Sequence, residues 1–210
     1  MTETSSAISA VLLSLQVSLW CVVVMLIPGI TAGYVLARKQ FPGKLLFDAA
    51  IHAPLVMPPV VTGYLLLLLL GNKGFIGSRL AEWFGIQLAF DWKGAVLAAA
   101  VVGFPLMVRS VRLAIELVDT HLEQAAQSLG ASPFQTFRTI TLPLAFPGIL
   151  TGVVLAFARS LGEFGATITF VGSIPGETQT LPLAIFAYIQ VPGKEQAALA
   201  LAAVSIVMSL

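Results

Sequence analysis

From Ala49 to Leu70 the chain carries no charged side chain, and the same holds from Gly94 to Val108. Runs of this kind constrain the fold more than any other feature, because a helix that crosses a bilayer needs about 20 largely apolar residues. In lipid the backbone must satisfy its own hydrogen bonds, which a helix does. A soluble domain covers its surface with roughly 25% charged residues; here the figure is 10%. The expected fold is therefore all-α: a polytopic transmembrane helical bundle of about five spans, forming a single transmembrane domain over residues 1–210.

The N-terminal run is read as a retained helix. Met1 to Ser6 contains no Lys or Arg, whereas a cleaved signal peptide begins with a positive region. The apolar run from Ala7 reaches Ala37 and stops at Arg38-Lys39. Span one lies within Ser14–Ala37, with a kink expected at Pro28-Gly29. Span two is Ala49–Leu70, with His52, Pro54 and Pro58-Pro59 in its first half. Span three begins near Gly94 and continues through Arg109 and Arg112, whose long stems can snorkel to the interface. Span four is expected from about Pro147 to Val171, and Leu142-Pro143 is expected to break the chain before it. The piece Leu181–Val191 is too short to cross. Span five starts near Glu195 and is still short of a full crossing at Leu210, so the natural protein is expected to continue. Cytoplasmic loops carry the excess of Lys and Arg. Placing the N-terminus outside puts Arg38, Lys39, Lys44, Arg109, Arg112 and Arg138 inside, and Lys73, Arg79, Lys93 and Lys194 outside.

Composition excludes several classes. A net charge of +1 provides no basic field for nucleic acid. One cysteine, Cys21, and two histidines, His52 and His121, cannot build a disulfide framework or a multi-residue metal cluster.

The segment over residues 119–143 is the least membrane-like stretch of any length, and its core reads LEQAAQSLGASPFQTFRTITLP from Leu122 to Pro143. Leu122, Ala125, Ala126 and Leu129 recur at helical spacing and form one apolar stripe. Gly130 is placed to end that helix in the left-handed conformation. Ser132 and Pro133 restart one, as N-cap and first helical residue, with Phe134, Phe137 and Ile140 on its apolar side. Two short amphipathic helices with a sharp bend make either a knob for a partner's groove or a solvated connector.

This pattern resembles the cytoplasmic coupling loop of ABC importer permeases: a small-residue trio at Gln124-Ala125-Ala126, then Gly130, then Ile140-Thr141-Leu142-Pro143. The family's acidic first position falls on Gln124, with Glu123 just before it, so the polar contact to the ATPase would fall to one of these two. The stretches FARSLGEFGAT (157–167), IPGET (174–178), TLPL (180–183) and HAPLVMPPVVTGY (52–64) narrow the resemblance to the molybdate (and tungstate) permeases. The sulfate and other tetrahedral-oxyanion permeases are the alternative. The resemblance implies a multi-pass subunit of a bacterial inner membrane importer working by alternating access. It also implies a second copy of the chain, two ATPase subunits docking on the coupling segment, and a periplasmic molybdate-binding protein. The chain would bind no cofactor; ATP and Mg would be used by the partner ATPase. In keeping with that, no GxxxxGK[ST] phosphate cradle is present.

Within the spans, Arg159 and Glu163 are four residues apart and share a helix face. Such a pair either fixes packing or forms part of a gate or permeation path. Gly162 and Gly165 permit close backbone approach to another helix or to the substrate. Ser160, Thr167 and Thr169 are candidate pathway hydroxyls, or they satisfy themselves on the carbonyl four residues back. His52 is either a proton or substrate ligand or a satisfied polar side chain. Two rival classes remain: an ion-coupled secondary transporter, which calls for inverted repeats and midplane ionisable groups, and a membrane-embedded enzyme, which calls for a catalytic constellation inside the spans.

Overall fold

A computed structural model describes residues 3–209, and among them all regular structure is helical. Helix α1 (Glu3–Arg38) runs unbroken through Pro28. At 1.5 Å per residue, a helix of this length is about 54 Å long, more than a bilayer core requires.

The uncharged stretch that reads as span two is two helices. α2 (Lys44–Val56) and α3 (Pro59–Leu70) meet at an angle of 114°. The cause is local. A residue before proline is driven out of the α conformation, and here two such residues are consecutive. Met57 (ψ 144°) precedes Pro58, and Pro58 (ψ 130°) precedes Pro59, so both are extended. Pro54 sits inside α2 without ending it.

A short helix, α4 (Gly77–Phe84), follows, and then α5 (Trp92–Glu116), the centre of the bundle. Small and branched residues of α5, among them Ala95, Ala99, Val102, Val108, Val111 and Ile115, are buried against α1 and α8. Next come α6 (Thr120–Ser128) and α7 (Pro133–Thr136).

The expected break at Leu142-Pro143 does not occur. A π-helical turn, Phe137–Thr141, joins α7 directly to α8 (Leu142–Leu161), giving one continuous element from Pro133 to Leu161. Proline lacks an N–H and its ring collides with the carbonyl four residues back. The wider turn, in which the Leu142 N–H reaches the Phe137 carbonyl, accommodates this just before Pro143.

The fourth span also stops sooner than expected. The helix ends at Leu161, and a separate piece, α9 (Gly165–Val171), follows an elbow at residues 162–164. α9 packs on α3. A Cβ on Gly63 would lie 2.5 Å from the Ala166 carbonyl oxygen, and one on Gly165 would lie 2.9 Å from Pro59 Cβ, so both glycines are required for the approach. The chain closes with α10 (Leu181–Ile189), as short as expected, and α11 (Glu195–Ser209).

Among the described residues, three elements are long and apolar enough to cross a membrane: α1, α5 and the Pro133–Leu161 helix. The bent α2–α3 pair would make a fourth. α11 is apolar but shorter, about 22 Å of helix.

Candidate functional site

The segment over residues 119–143 is built by its own local signals. Asp119 caps α6, its carboxylate accepting from the His121 N–H at 2.8 Å. At the other end Gly130 has φ +93°. The Gly130 N–H donates to the Gln127 carbonyl and the Ala131 N–H to the Ala126 carbonyl, both at 3.0 Å. This closure satisfies orphan carbonyls and turns the chain sharply, and it calls for a residue at ease in the left-handed region. Ser132 then opens α7 with a reciprocal cap: its Oγ accepts from the Gln135 N–H, and the Gln135 side chain accepts from the Ser132 N–H.

The face this creates is largely unused by the chain itself. Leu129 is 90% exposed and Phe134 71% exposed, with Leu117 and Leu122 also open. Gln124, Ala125, Gly130 and Pro143 are exposed, while Ala126, Ile140 and Leu142 are half-buried. Phe137 turns inward and meets Tyr34 of α1 edge-to-face, with ring centroids 5.0 Å apart. Beneath α6 lies an apolar groove of about 560 Å³, lined in part by Leu113, Leu117, Leu122, Leu144 and Pro147.

Glu123 points the other way. Its carboxylate pairs with the Arg38 guanidinium at 3.1 Å and accepts from the Thr141 hydroxyl at 2.6 Å. Arg38 also donates to the Val118 carbonyl at 2.8 Å. The partners lie on α1 and on the π-helical turn, 85 and 18 residues away in sequence.

A second polar group occupies the same end of the bundle. Asp48 of α2 pairs with Arg112 of α5 at 3.0 Å, and Arg112 pairs with Glu116 at 2.8 Å. His52 Nδ1 lies 2.9 Å from the Asp48 carbonyl oxygen and 3.0 Å from its carboxylate, so this histidine has its partner within its own helix. Sequence reasoning singled out His52 but not Asp48 or Glu116, because nothing local announces a contact between α2 and α5.

At the far end of α8 is the elbow. Arg159 and Glu163 form an ion pair at 2.7 Å, with side chains 30% and 2% exposed. Glu163 lies past the end of α8 rather than on the same helix, and its Oε1 accepts from the Ala166 N–H at 2.8 Å. The carboxylate thus serves both the guanidinium and an orphan donor of α9. Ser160 is buried and donates to the Phe157 carbonyl, and Thr169 donates to the Gly165 carbonyl four residues back. Thr167 is buried. Gly162 is exposed, and a Cβ there would meet nothing within 4 Å. The adjoining loop is tied by Thr178, whose hydroxyl accepts from the Ile174 N–H and donates to the Val171 carbonyl. Ser14 of α1 accepts from the Leu181 N–H at 2.6 Å and fixes the start of α10. Sequence reasoning quoted the 174–178 stretch but missed the role of Thr178 within it, and Ser14 carried no signal.

Residues 29–210 match the family described as binding-protein-dependent transport system inner membrane component. The chain is 60% identical over 201 residues to the molybdenum transport system permease protein ModB of Escherichia coli, covering 96% of this chain and 88% of that one. It is 57% identical to ModB of Haemophilus influenzae, covering 97% and 89%. Among solved structures, the inward-facing MetNI methionine ABC transporter superposes with a TM-score of 0.75 at 15% identity, covering 100% of this chain and 93% of that one, which is a likeness of fold.

Proposed function

The chain belongs to the family of binding-protein-dependent transport system inner membrane components, and from that premise we propose that it is the membrane-spanning subunit of an ATP-driven importer of molybdate. The observation that carries this reading is the 60% identity, along nearly the whole chain, to a permease of molybdenum transport. ATP is hydrolysed on a separate partner, and this chain supplies the path and the docking surface.

Two copies of the chain and two ATPase subunits form the working unit, with a periplasmic molybdate-binding protein delivering the ion. The N-terminus lies outside, so that the end carrying Arg38, Asp48, Arg112 and the coupling segment faces the cytoplasm. The ATPase receives the exposed face of α6 and α7: Gln124, Ala125 and Gly130, with Leu129 and Phe134 as apolar anchors and half-buried Ala126 behind them. Ile140, Leu142 and Pro143 form the base on which that face stands. The exposure of these groups in the isolated chain supports this, since an unpartnered apolar face beside ordered caps is what a docking surface offers. ATP binding closes the ATPases, swings the coupling segments and exchanges inward for outward access.

At the elbow, Arg159 presents a partly exposed guanidinium whose charge is offset by buried Glu163. A dianion must be attracted and then released, so a neutralised cation suits a path better than a free one. Gly162 leaves space beside it. Ser160, Thr167 and Thr169 serve the packing and backbone of the elbow.

Cargo is tested with vesicles containing the chain, its ATPase and the binding protein. Uptake of labelled molybdate is expected to be abolished by excess unlabelled molybdate and barely affected by equal sulfate. Equal suppression by sulfate would reassign the importer to tetrahedral oxyanions in general.

A further inference from the structure

The coupling segment has to move other helices when the ATPase moves it, and one carboxylate makes the mechanical connection. We propose that Glu123 is an internal strut that locks α6 to α1 and α8, and is not a contact to the ATPase. The inference rests on the coupling role of residues 119–143. Each half of it has a geometric ground.

Glu123 is turned away from the docking face. Its side chain is 14% exposed and that of its partner Arg38 is 13% exposed, whereas Leu129 on the same segment is 90% exposed. A carboxylate enclosed in this way, with its oxygens already committed to Arg38 and Thr141, has little surface to offer a second protein. Its bonds run to three places at once. Arg38, the last residue of α1, pairs with Glu123 and also donates to the Val118 carbonyl at the start of the segment. Thr141, 1% exposed and the last residue of the π-helical turn, donates to the same carboxylate. The end of α1, the body of α6 and the foot of α8 are thereby fastened through one side chain. A push on α6 is carried to α1 and to α8, the helix that ends at the Arg159–Glu163 elbow. Charge-assisted hydrogen bonds of this kind are about twice as strong as neutral ones, and their low exposure limits screening by salt. The π-helical turn fits the same purpose. It is a wide turn placed where the strut attaches, and such turns recur at functional positions in helices.

The test uses the full complex in vesicles, with two readouts: retention of the ATPase during affinity purification of this chain, and ATP hydrolysed per molybdate imported. Glu123→Gln keeps the size and removes the charge. The strut predicts that the ATPase is retained while the ATP-to-molybdate ratio rises severalfold, because hydrolysis then proceeds without its motion reaching α1 and α8. Loss of the ATPase from the Glu123→Gln complex would make Glu123 a docking contact and overturn the strut, as would a wild-type ratio. Thr141→Val removes a single hydrogen bond and leaves the ion pair. It is expected to raise the ratio by a smaller factor with the ATPase still bound. If Glu123→Gln fails to assemble, a wild-type ratio in Thr141→Val overturns the proposal. The parent reading fails differently: the unmodified complex would then import no molybdate on ATP.

Discussion

Gly63 and Gly165 determine how closely α3 approaches α9, and the elbow beside them depends on that contact. A side chain at Gly63 meets backbone, the Ala166 carbonyl oxygen at 2.5 Å and its Cα at 2.8 Å, which cannot step aside as a flexible side chain can. Overpacking of this kind costs about 1–3 kcal/mol. Gly63→Val is therefore expected to lower the thermal unfolding midpoint of the purified chain in detergent. Gly162→Ala, at an exposed position with open space around it, is expected to stay within about 0.5 kcal/mol of wild type. Equal midpoints for the two variants would contradict the α3–α9 packing. The sequence marked Gly162 and Gly165 together as permitting close approach to another helix or to the substrate; Gly165 makes the helix contact, and Gly162 has open space around it. The Arg38–Glu123 pair was illegible for another reason. Its members are 85 residues apart, and neither residue has a local pattern that names the other.

At the scale of elements, what was legible is what local chemistry decides. Gly130, Ser132 and Pro133 end one helix and start the next through their own backbone preferences, and the structure closes both ends with the bonds those residues supply. The uncharged run of span two was visible, but its direction was not. Hydropathy is blind to a turn, and the paired extended residues at Met57 and Pro58 redirect the chain inside the run. Leu142-Pro143 admits a break or a π-helical turn with equal local satisfaction. The burial of Thr141 and Ala145 against the bundle accompanies the second. α6 also carries the test of orientation. In cells that lack the ATPase subunit, a cysteine introduced by Leu129→Cys takes a position that is 90% exposed in the chain alone, while the native Cys21 is buried. A membrane-impermeant maleimide is expected to label it only after the inner membrane is opened. Labelling through a permeabilised outer membrane alone would invert the topology.

Over the whole molecule, polar side chains gather at one end of the bundle and again where α8 ends, level with the middle of α1. One end gathers Arg38, Asp48, Arg112, Glu116 and Glu123 beside the exposed face of α6 and α7. The far end of α8 holds the Arg159–Glu163 elbow and the loop tied by Thr178. α5 runs through the middle as a buried axis of small and branched residues. Under the proposed function, motion imposed on α6 by the ATPase passes along α1 and α8 toward the elbow. The most direct test is uptake of labelled molybdate into vesicles that hold the chain and the binding protein, with and without the ATPase subunit. Uptake is expected only when the ATPase and ATP are both present. Uptake by the chain without any ATPase would contradict the account.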